Sequence, residues 1–200
     1  TRPHKDIRSE AGKLPAGVQW EGKGHSDRVL NCHFAVKSPG IPSHAPVLKK
    51  FADANIPVFS ELEVALAFCA SRDIVAVTGT NGKTTSVHMA ASVFKAARRR
   101  PRVYGNVGEP LSAGVLKIKA KDTVILEASS YQLEDSRWFR PQAGLILNLT
   151  TDHIDHHGTR ENYIAAKRNI VAWQGPKDVA VLNLDDPAVL AMHTGAASEV

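Results

Sequence analysis

No stretch of this 200-residue chain approaches the ~20 consecutive apolar residues of a membrane-spanning helix. Its first residues, Thr1-Arg-Pro-His-Lys-Asp6, also lack the apolar centre of a secretory signal, so a cytosolic location is expected with no membrane partner. Two cysteines, Cys32 and Cys69, are too few and too far apart for a disulfide framework or a four-thiolate metal site, which leaves both as expected free thiols. Aromatic residues make up only 6% of the chain, and none interleaves with the run Arg98-Arg99-Arg100-Pro101-Arg102. That run falls where a helix should end, so it reads as a solvated helix terminus and not as a nucleic-acid patch. No repeat or low-complexity segment is present. What remains, 43% hydrophobic and 22% charged with a formal charge of +5, is the composition of a folded chain with one large or two small cores. The positive balance suits a polyanionic ligand.

The richest segment is Asp73-Ile-Val-Ala-Val-Thr-Gly-Thr-Asn-Gly-Lys-Thr-Thr-Ser86. Ile74 to Val77 is β-branched enough for a buried strand, and it breaks into a turn with Gly79 and Gly82 before a helical pattern. In such a turn backbone N–H groups converge on an anion, with the positive end of the helix dipole behind them. Lys83 would reach the terminal phosphates of a nucleotide, and Thr84 could offer its hydroxyl to magnesium. The usual phosphate-loop pattern has a glycine where this chain has Val77, so the motif is a variant.

Residues 1–26 are polar and irregular and suggest no element. Beyond them the pattern predicts a strand over 31–37 running into Ser38-Pro39-Gly40-Ile41-Pro42, a helix over 45–54, a strand over 57–59 and a helix over 61–70. Ser60 and Glu63 form a capping-box pattern before that last helix. From Asp73 the expectation alternates: strand 74–77, helix 83–98, strand 102–104, short helix 110–117, strand 123–126, strand 143–148, helix 160–173, strand 179–183. Alternation of this kind specifies an α/β fold, a mostly parallel sheet with flanking helices. A domain boundary is expected near Ser71-Arg72, giving pieces 1–71 and 72–200.

In a parallel sheet ligands gather at the carboxyl ends of strands. Here those ends carry the Gly79–Thr85 loop, Gly105-Asn106, Glu127 with Ser129-Ser130, and Asn148 with Thr150-Thr151-Asp152-His153. Four successive strands ending on such residues point to one site. Glu127 could share a magnesium ion with Thr84. The cluster Asp152-His-Ile-Asp-His-His157 is dense in metal donors, but its place before Gly158 and Thr159 also fits turn and capping chemistry.

Five separated motifs together resemble the ATP-dependent Mur ligases: Gly-Thr-Asn-Gly-Lys-Thr-Thr at 79–85, Tyr-Gly-Asn-Val-Gly at 104–108, Glu-Ala-Ser-Ser-Tyr-Gln-Leu-Glu at 127–134, Asn-Leu-Thr-Thr-Asp-His-Ile-Asp at 148–155 and Tyr-Ile-Ala-Ala-Lys at 163–167. Within that family Ser-Ser-Tyr-Gln-Leu-Glu and Ser-Pro-Gly-Ile-Pro are similar to the branch that adds D-glutamate to UDP-N-acetylmuramoyl-L-alanine. The resemblance covers roughly residues 30–190. It implies a P-loop ATPase central domain preceded by part of a Rossmann-like substrate domain, with the carboxyl-terminal domain absent and the chain a fragment acting as a monomer. It further implies ATP held by Gly79, Thr80, Asn81, Gly82, Lys83, Thr84 and Thr85, one Mg2+ on Thr84 and Glu127, and a second on His153 and Lys167, with Lys167 carbamylated. Gly40, Asn106, Gln132 and His153 would face the UDP-linked substrate, and Lys83, His153 and Lys167 would be catalytic. From its own surroundings in the sequence, Lys167 reads as a helix-surface lysine.

Another Mur-type or a folylpolyglutamate-type ligase is the alternative within the resemblance, since these share the glycine loop but usually differ at the Ser-Ser-Tyr-Gln-Leu-Glu and Ser-Pro-Gly-Ile-Pro segments. Two readings outside it compete. Asp155-His156-His157 brings to mind metal-dependent phosphoesterases, but those also need aspartates at earlier strand ends, which here carry Gly79, Asn106 and Glu127. A nucleotide-binding module without ligase activity would bind ATP and make no product.

Overall fold

A computed structural model describes residues 12–22, 24–106, 108–192 and 198 of the chain. The opening residues 1–11 and Val107 of the Tyr104–Gly108 motif lie outside the described residues. Contacts divide the chain into two compact units, one drawn from Thr1–Ala35 and His44–Pro57, the other from Val36–Ser43 and Val58–Val200. In the first, Ser26 caps a 3-10 turn, Asp27–Leu30, and helix α1 spans Pro46–Asp53. Val47 and Phe51, four residues apart on one face of α1, are its buried positions.

The second unit is built on a five-stranded sheet: β3 (Ile74–Thr78), β4 (Pro101–Gly105), β5 (Thr123–Glu127), β6 (Ala143–Ile146) and β7 (Val179–Leu182), in the order β4-β5-β3-β6-β7. Every pairing is parallel. Strands β1 (Ala35–Lys37) and β2 (Val58–Ser60) form a separate two-stranded sheet. All five residues of β3 and of β5 are buried, as expected of central parallel strands covered on both faces.

The period-2 alternation sorts these strands into two cores. Ile74, Ala76, Val124, Leu126 and Ile146 face one layer, which α2 (Glu61–Ala67), α4 (Leu111–Gly114), α7 (Arg160–Arg168) and α8 (Pro187–Leu190) complete through Leu62, Leu111, Tyr163 and Val189. Val77 and Ile125 face the other layer, closed by Val87, Ala91 and Phe94 of α3 (Lys83–Ala96). Residues 61–69 thus join the core of the second unit through Leu62, Ala65 and Cys69.

Several elements are shorter than their sequence patterns. The expected strand 31–37 is cut to Ala35–Lys37, because the Asp27–Leu30 turn closes through Asn31 N–H onto the Arg28 carbonyl. The helix expected over 160–173 ends at Arg168, and α3 stops at Ala96, two residues before Arg98 adopts a left-handed φ of 58°. Of the arginine run, Arg99 pairs with Asp73 and Arg102 with Asp122, so these two are anchored to neighbouring strands. Ser60 does accept from the Glu63 N–H at 3.1 Å, but Glu63 does not reach back to complete the box. Its carboxylate accepts instead from the Arg137 and Trp138 N–H groups. The sequence pattern did not show two four-residue helices, α5 (Ser130–Leu133) and α6 (Ile154–His157), which are too short for any periodicity. Cys69 is buried, Cys32 is exposed, and both are free.

Candidate functional site

Because the five strands run parallel, their carboxyl ends share one edge of the sheet, and the loop from Gly79 to Gly82 starts there. Gly82 takes φ 84° at the N-cap of α3 and supplies no side-chain cap. The first-turn donors of this fourteen-residue helix therefore stay available to an anion, and Asn81, Gly82, Thr84 and Thr85 are exposed. Asn148, beyond the end of β6, pins the loop from below. Its carbonyl accepts from the Thr80 N–H at 2.9 Å, its Oδ1 accepts from the Asn81 N–H at 2.8 Å, and its Nδ2 donates to the Asn81 carbonyl at 3.1 Å. Lys83 Nζ donates to the carbonyls of Gly79 at 2.9 Å and Thr80 at 2.8 Å, which folds its ammonium over the loop.

Thr84 and Glu127 meet as expected. The Thr84 hydroxyl donates to Glu127 Oε2 at 2.8 Å, and Asn106 Nδ2 donates to Oε1 of the same carboxylate at 3.2 Å. Glu127 is only 2% exposed. The backbone makes this convergence possible at Gly105, where a Cβ would lie 2.2 Å from the Glu127 carbonyl oxygen and φ is 124°. No other residue could let β4 leave the sheet so close to β5.

Lys167 corrects the surface reading. It is 1% exposed, and its Nζ donates to the Gly79 carbonyl at 2.8 Å and to Thr78 Oγ1 at 3.2 Å. Burial, with the nearby Lys83 charge as a smaller cause, lowers its pKa to about 7. Tyr163, one turn earlier on α7, is fully buried, lies 5.0 Å from the ammonium, and shares a 2.7 Å hydrogen bond between its hydroxyl and Thr80 Oγ1. Lys83 and Lys167 thus converge on one carbonyl, that of Gly79.

The remaining residues divide. Asn106 and Gln132 line a cavity of about 470 Å³ together with Ser38, Pro39, Gly105 and Ser112. Gln132 also caps its own helix, since its Oε1 accepts from the Ser129 N–H at 3.0 Å. Gly40 is exposed in the turn that the Ile41 N–H closes onto the Ser38 carbonyl, and it does not line that cavity. His153 is exposed, with φ 40°, and its Nδ1 pairs with Asp152 Oδ1 at 2.7 Å. Its ring lies 5.3 Å from Tyr131 and 6.0 Å from Tyr163.

Sequence reasoning gave no role to Lys37, which is 3% exposed and pairs with Glu134 and Asp135. Nothing in Ala35-Val-Lys37 signals a buried ion pair. The partnership of Tyr163 with Thr80 was equally hidden, although both residues lie in quoted motifs.

Residues 77–200 match the Mur ligase middle domain. The chain belongs to the Mur ligase family. Among curated Mur ligases, the UDP-N-acetylmuramoylalanine--D-glutamate ligase of Elusimicrobium minutum (strain Pei191) is 44% identical over 182 residues, which is 88% of this chain and 40% of the relative. The chain therefore spans about 40% of the length of such relatives. Solved Mur ligases share the fold. The UDP-N-acetylmuramate:L-alanyl-gamma-D-glutamyl-meso-diaminopimelate ligase of Neisseria meningitides superposes with a TM-score of 0.59 at 17% identity, over 87% of this chain and 59% of that one. The MurF ligase of Thermotoga maritima, solved with ADP, gives 0.54 at 18% identity, over 84% and 48%.

Proposed function

We propose that these residues belong to an ATP-dependent ligase that adds D-glutamate to UDP-N-acetylmuramoyl-L-alanine in peptidoglycan precursor synthesis. The observation that carries this reading is the Thr84–Glu127–Asn106 chain of hydrogen bonds beside an uncapped, exposed helix N-terminus. The 44% identity to a D-glutamate-adding relative supports this branch.

A carboxylate is a poor acylating agent because oxide is a poor leaving group. Phosphoryl transfer from ATP to the terminal alanine carboxylate supplies a good one, and the D-glutamate amine then attacks the acyl phosphate. In this reading the Gly79–Thr85 backbone and Lys83 bind phosphate oxygens and offset charge that builds up between nucleophile and γ-phosphate. The Thr84 hydroxyl and Glu127 carboxylate are hard oxygen donors, which fits Mg2+, and the ion would supply Lewis-acid charge neutralisation there. Asn106 orients the Glu127 carboxylate and, with Gln132, Ser38 and Pro39, faces the UDP-linked substrate, which Gly40 would meet only from outside that cavity.

Lys167 as an amine does not suit magnesium. A carbamate on its Nζ would, and its neutral form, well populated with a pKa of about 7, is the form that reacts with carbon dioxide. His153 is better suited to hydrogen-bond the substrate than to ligate magnesium, which prefers oxygen. We further propose that residues 1–71 derive from the UDP-substrate domain and 72–200 from the central domain, with residues 61–69 packed on the core of the second unit, in a cytoplasmic monomer with no nucleic-acid partner. No helix among the described residues is long and apolar enough to cross a membrane.

Phosphate release tests the reading. It should require UDP-N-acetylmuramoyl-L-alanine, D-glutamate and ATP together, and Lys83→Ala should abolish it while leaving the circular dichroism unchanged. Nucleotide binding with no release under any substrate combination would favour a binding module, and wild-type turnover by Lys83→Ala would remove the phosphate-loop assignment.

A further inference from the structure

The donor-rich segment that ends at His157 forms a second cluster, separate from Thr84 and Glu127. Glu134 follows α5 directly, and His156 and His157 end α6. His156 Nε2 lies 2.9 Å from Glu134 Oε2, and His157 Nδ1 lies 3.3 Å from Glu134 Oε1. One ligating atom from each of the three falls within 4.8 Å of the others. Bonds of ~2.0–2.1 Å at tetrahedral angles put neighbouring ligand atoms ~3.3–3.4 Å apart, so the widest of these spacings must shorten for one ion to be held by all three residues.

Three further observations favour a cation. The His157 side chain is fully buried and its Nδ1 has no hydrogen-bond partner, while Ser130 Oγ holds the opposite ring nitrogen at 3.0 Å. In the tautomer where Ser130 accepts from that nitrogen, Nδ1 presents a lone pair toward the Glu134 carboxylate, and a cation between them would satisfy both. The second is the local charge balance. Glu134 and Asp135 bring two negative charges against the single ammonium of Lys37, so with neutral imidazoles one negative charge is left over. The third is rigidity: the Tyr131 ring packs against both imidazoles, with centroids 4.3 Å from His156 and 5.6 Å from His157, and limits their rotation.

We propose that Glu134, His156 and His157 form a binding site for a borderline-soft divalent transition metal of the zinc class. Two imidazoles and one carboxylate select such an ion over magnesium, which keeps to oxygen donors. The ion would tie α5, whose Gln132 lines the substrate-side cavity, to α6. Ser43 Oγ, 3.4 Å from Glu134 Oε1, brings the Ser38–Ser43 segment to the same carboxylate. The site does not depend on the ligase reading, and its test needs no nucleotide.

The probes are Zn2+ by calorimetry and Co2+ by visible absorption, on the unmodified chain in excess Mg2+. One equivalent should bind, with the strong d–d bands of a four-coordinate cobalt site. His156→Gln and Glu134→Gln should each weaken binding by at least about tenfold, the scale seen even for outer-shell partners of a metal. The exposed His88→Gln should not change it. Circular dichroism of the metal-free variants separates lost ligation from lost fold, and the cobalt spectrum of the parent tests the geometry without any variant. Displacement by Mg2+, an octahedral cobalt spectrum, undiminished binding by folded His156→Gln, or equal loss in His88→Gln would each overturn the proposal and leave a metal-free hydrogen-bonded cluster.

Discussion

Lys37 and Lys167 are almost equally buried, at 3% and 1% exposure, yet the protein treats their charges differently. Around Lys37 two carboxylates converge, from Glu134 and Asp135, each about one-fifth exposed. Around Lys167 the hydrogen-bond partners are neutral, the Gly79 carbonyl and the Thr78 hydroxyl, and the larger charge effect on it comes from another cation, Lys83, with Asp152 opposing it more weakly. Burial removes water from both, and the partner then decides the outcome. The first lysine is held as half of an ion pair that joins the Val36–Ser43 segment to the residues after α5. The second is pushed towards its neutral form beside the phosphate loop, where a neutral amine can do chemistry.

The sharpest way to break this contrast is to remove each lysine in turn. Lys167→Ala should lower kcat of the ligase by about 10²–10³-fold, the scale for losing one group that stabilises reacting charge. Added acetate should restore part of the rate if the missing group is a carbamate. Rescue by amines in place of acetate would mean that Lys167 acts as a cation. Lys37→Ala acts on stability. It leaves Glu134 and Asp135 without their buried counter-charge, and urea unfolding should show a loss of about 3 kcal/mol, the lower end for breaking a buried pair because both carboxylates are partly exposed. A change below about 1 kcal/mol would mean that solvent screens the cluster.

The Lys167 site also makes stability depend on pH. The folded pKa of Lys167, about 7, lies below the 10.5 of an unperturbed lysine. Between those values the unfolded chain binds more protons than the folded one, so stability rises with pH across the window. Below about pH 7 both states are protonated and the cost of the buried charge is at its full size. Lys167→Met should flatten that rise in urea midpoints measured from pH 7 to 10, and an unchanged slope would assign it to other groups. The smallest effect is expected where a lysine pair is exposed. Lys50 bonds Asp27 at 2.6 Å, but Lys50 is 40% and Asp27 82% exposed, so Lys50→Ala should leave the urea midpoint within error.

How much of this was legible from residues alone depends on range along the chain. The strand–loop–helix from Ile74 to Ala96 is a local motif. Its β-branched run, its glycines and the adjacent Lys83-Thr84 sit within one continuous segment, so their geometry follows from backbone sterics and hydrogen bonding. The alternation of strands and helices likewise required a parallel sheet, and a parallel sheet collects its strand ends on one edge. Glu127 could for that reason be set opposite Thr84 before any coordinates. The burial of Lys167 could not. It arises because α7 lays Tyr163 and Lys167 under a loop more than eighty residues earlier, and nothing within Tyr163-Ile-Ala-Ala-Lys167 reports what lies across the gap. The same holds for Lys37 with Asp135, and for His156 and His157 with Glu134, pairs formed by segments that meet only when the sheet and its helices pack. Even Gly105, an ordinary turn residue in sequence, becomes obligatory only once the Glu127 carbonyl stands where its side chain would be. Local chemistry settled which segment could hold an anion. Long-range packing decided which charges lose their water, and with that how far the Lys167 pKa falls.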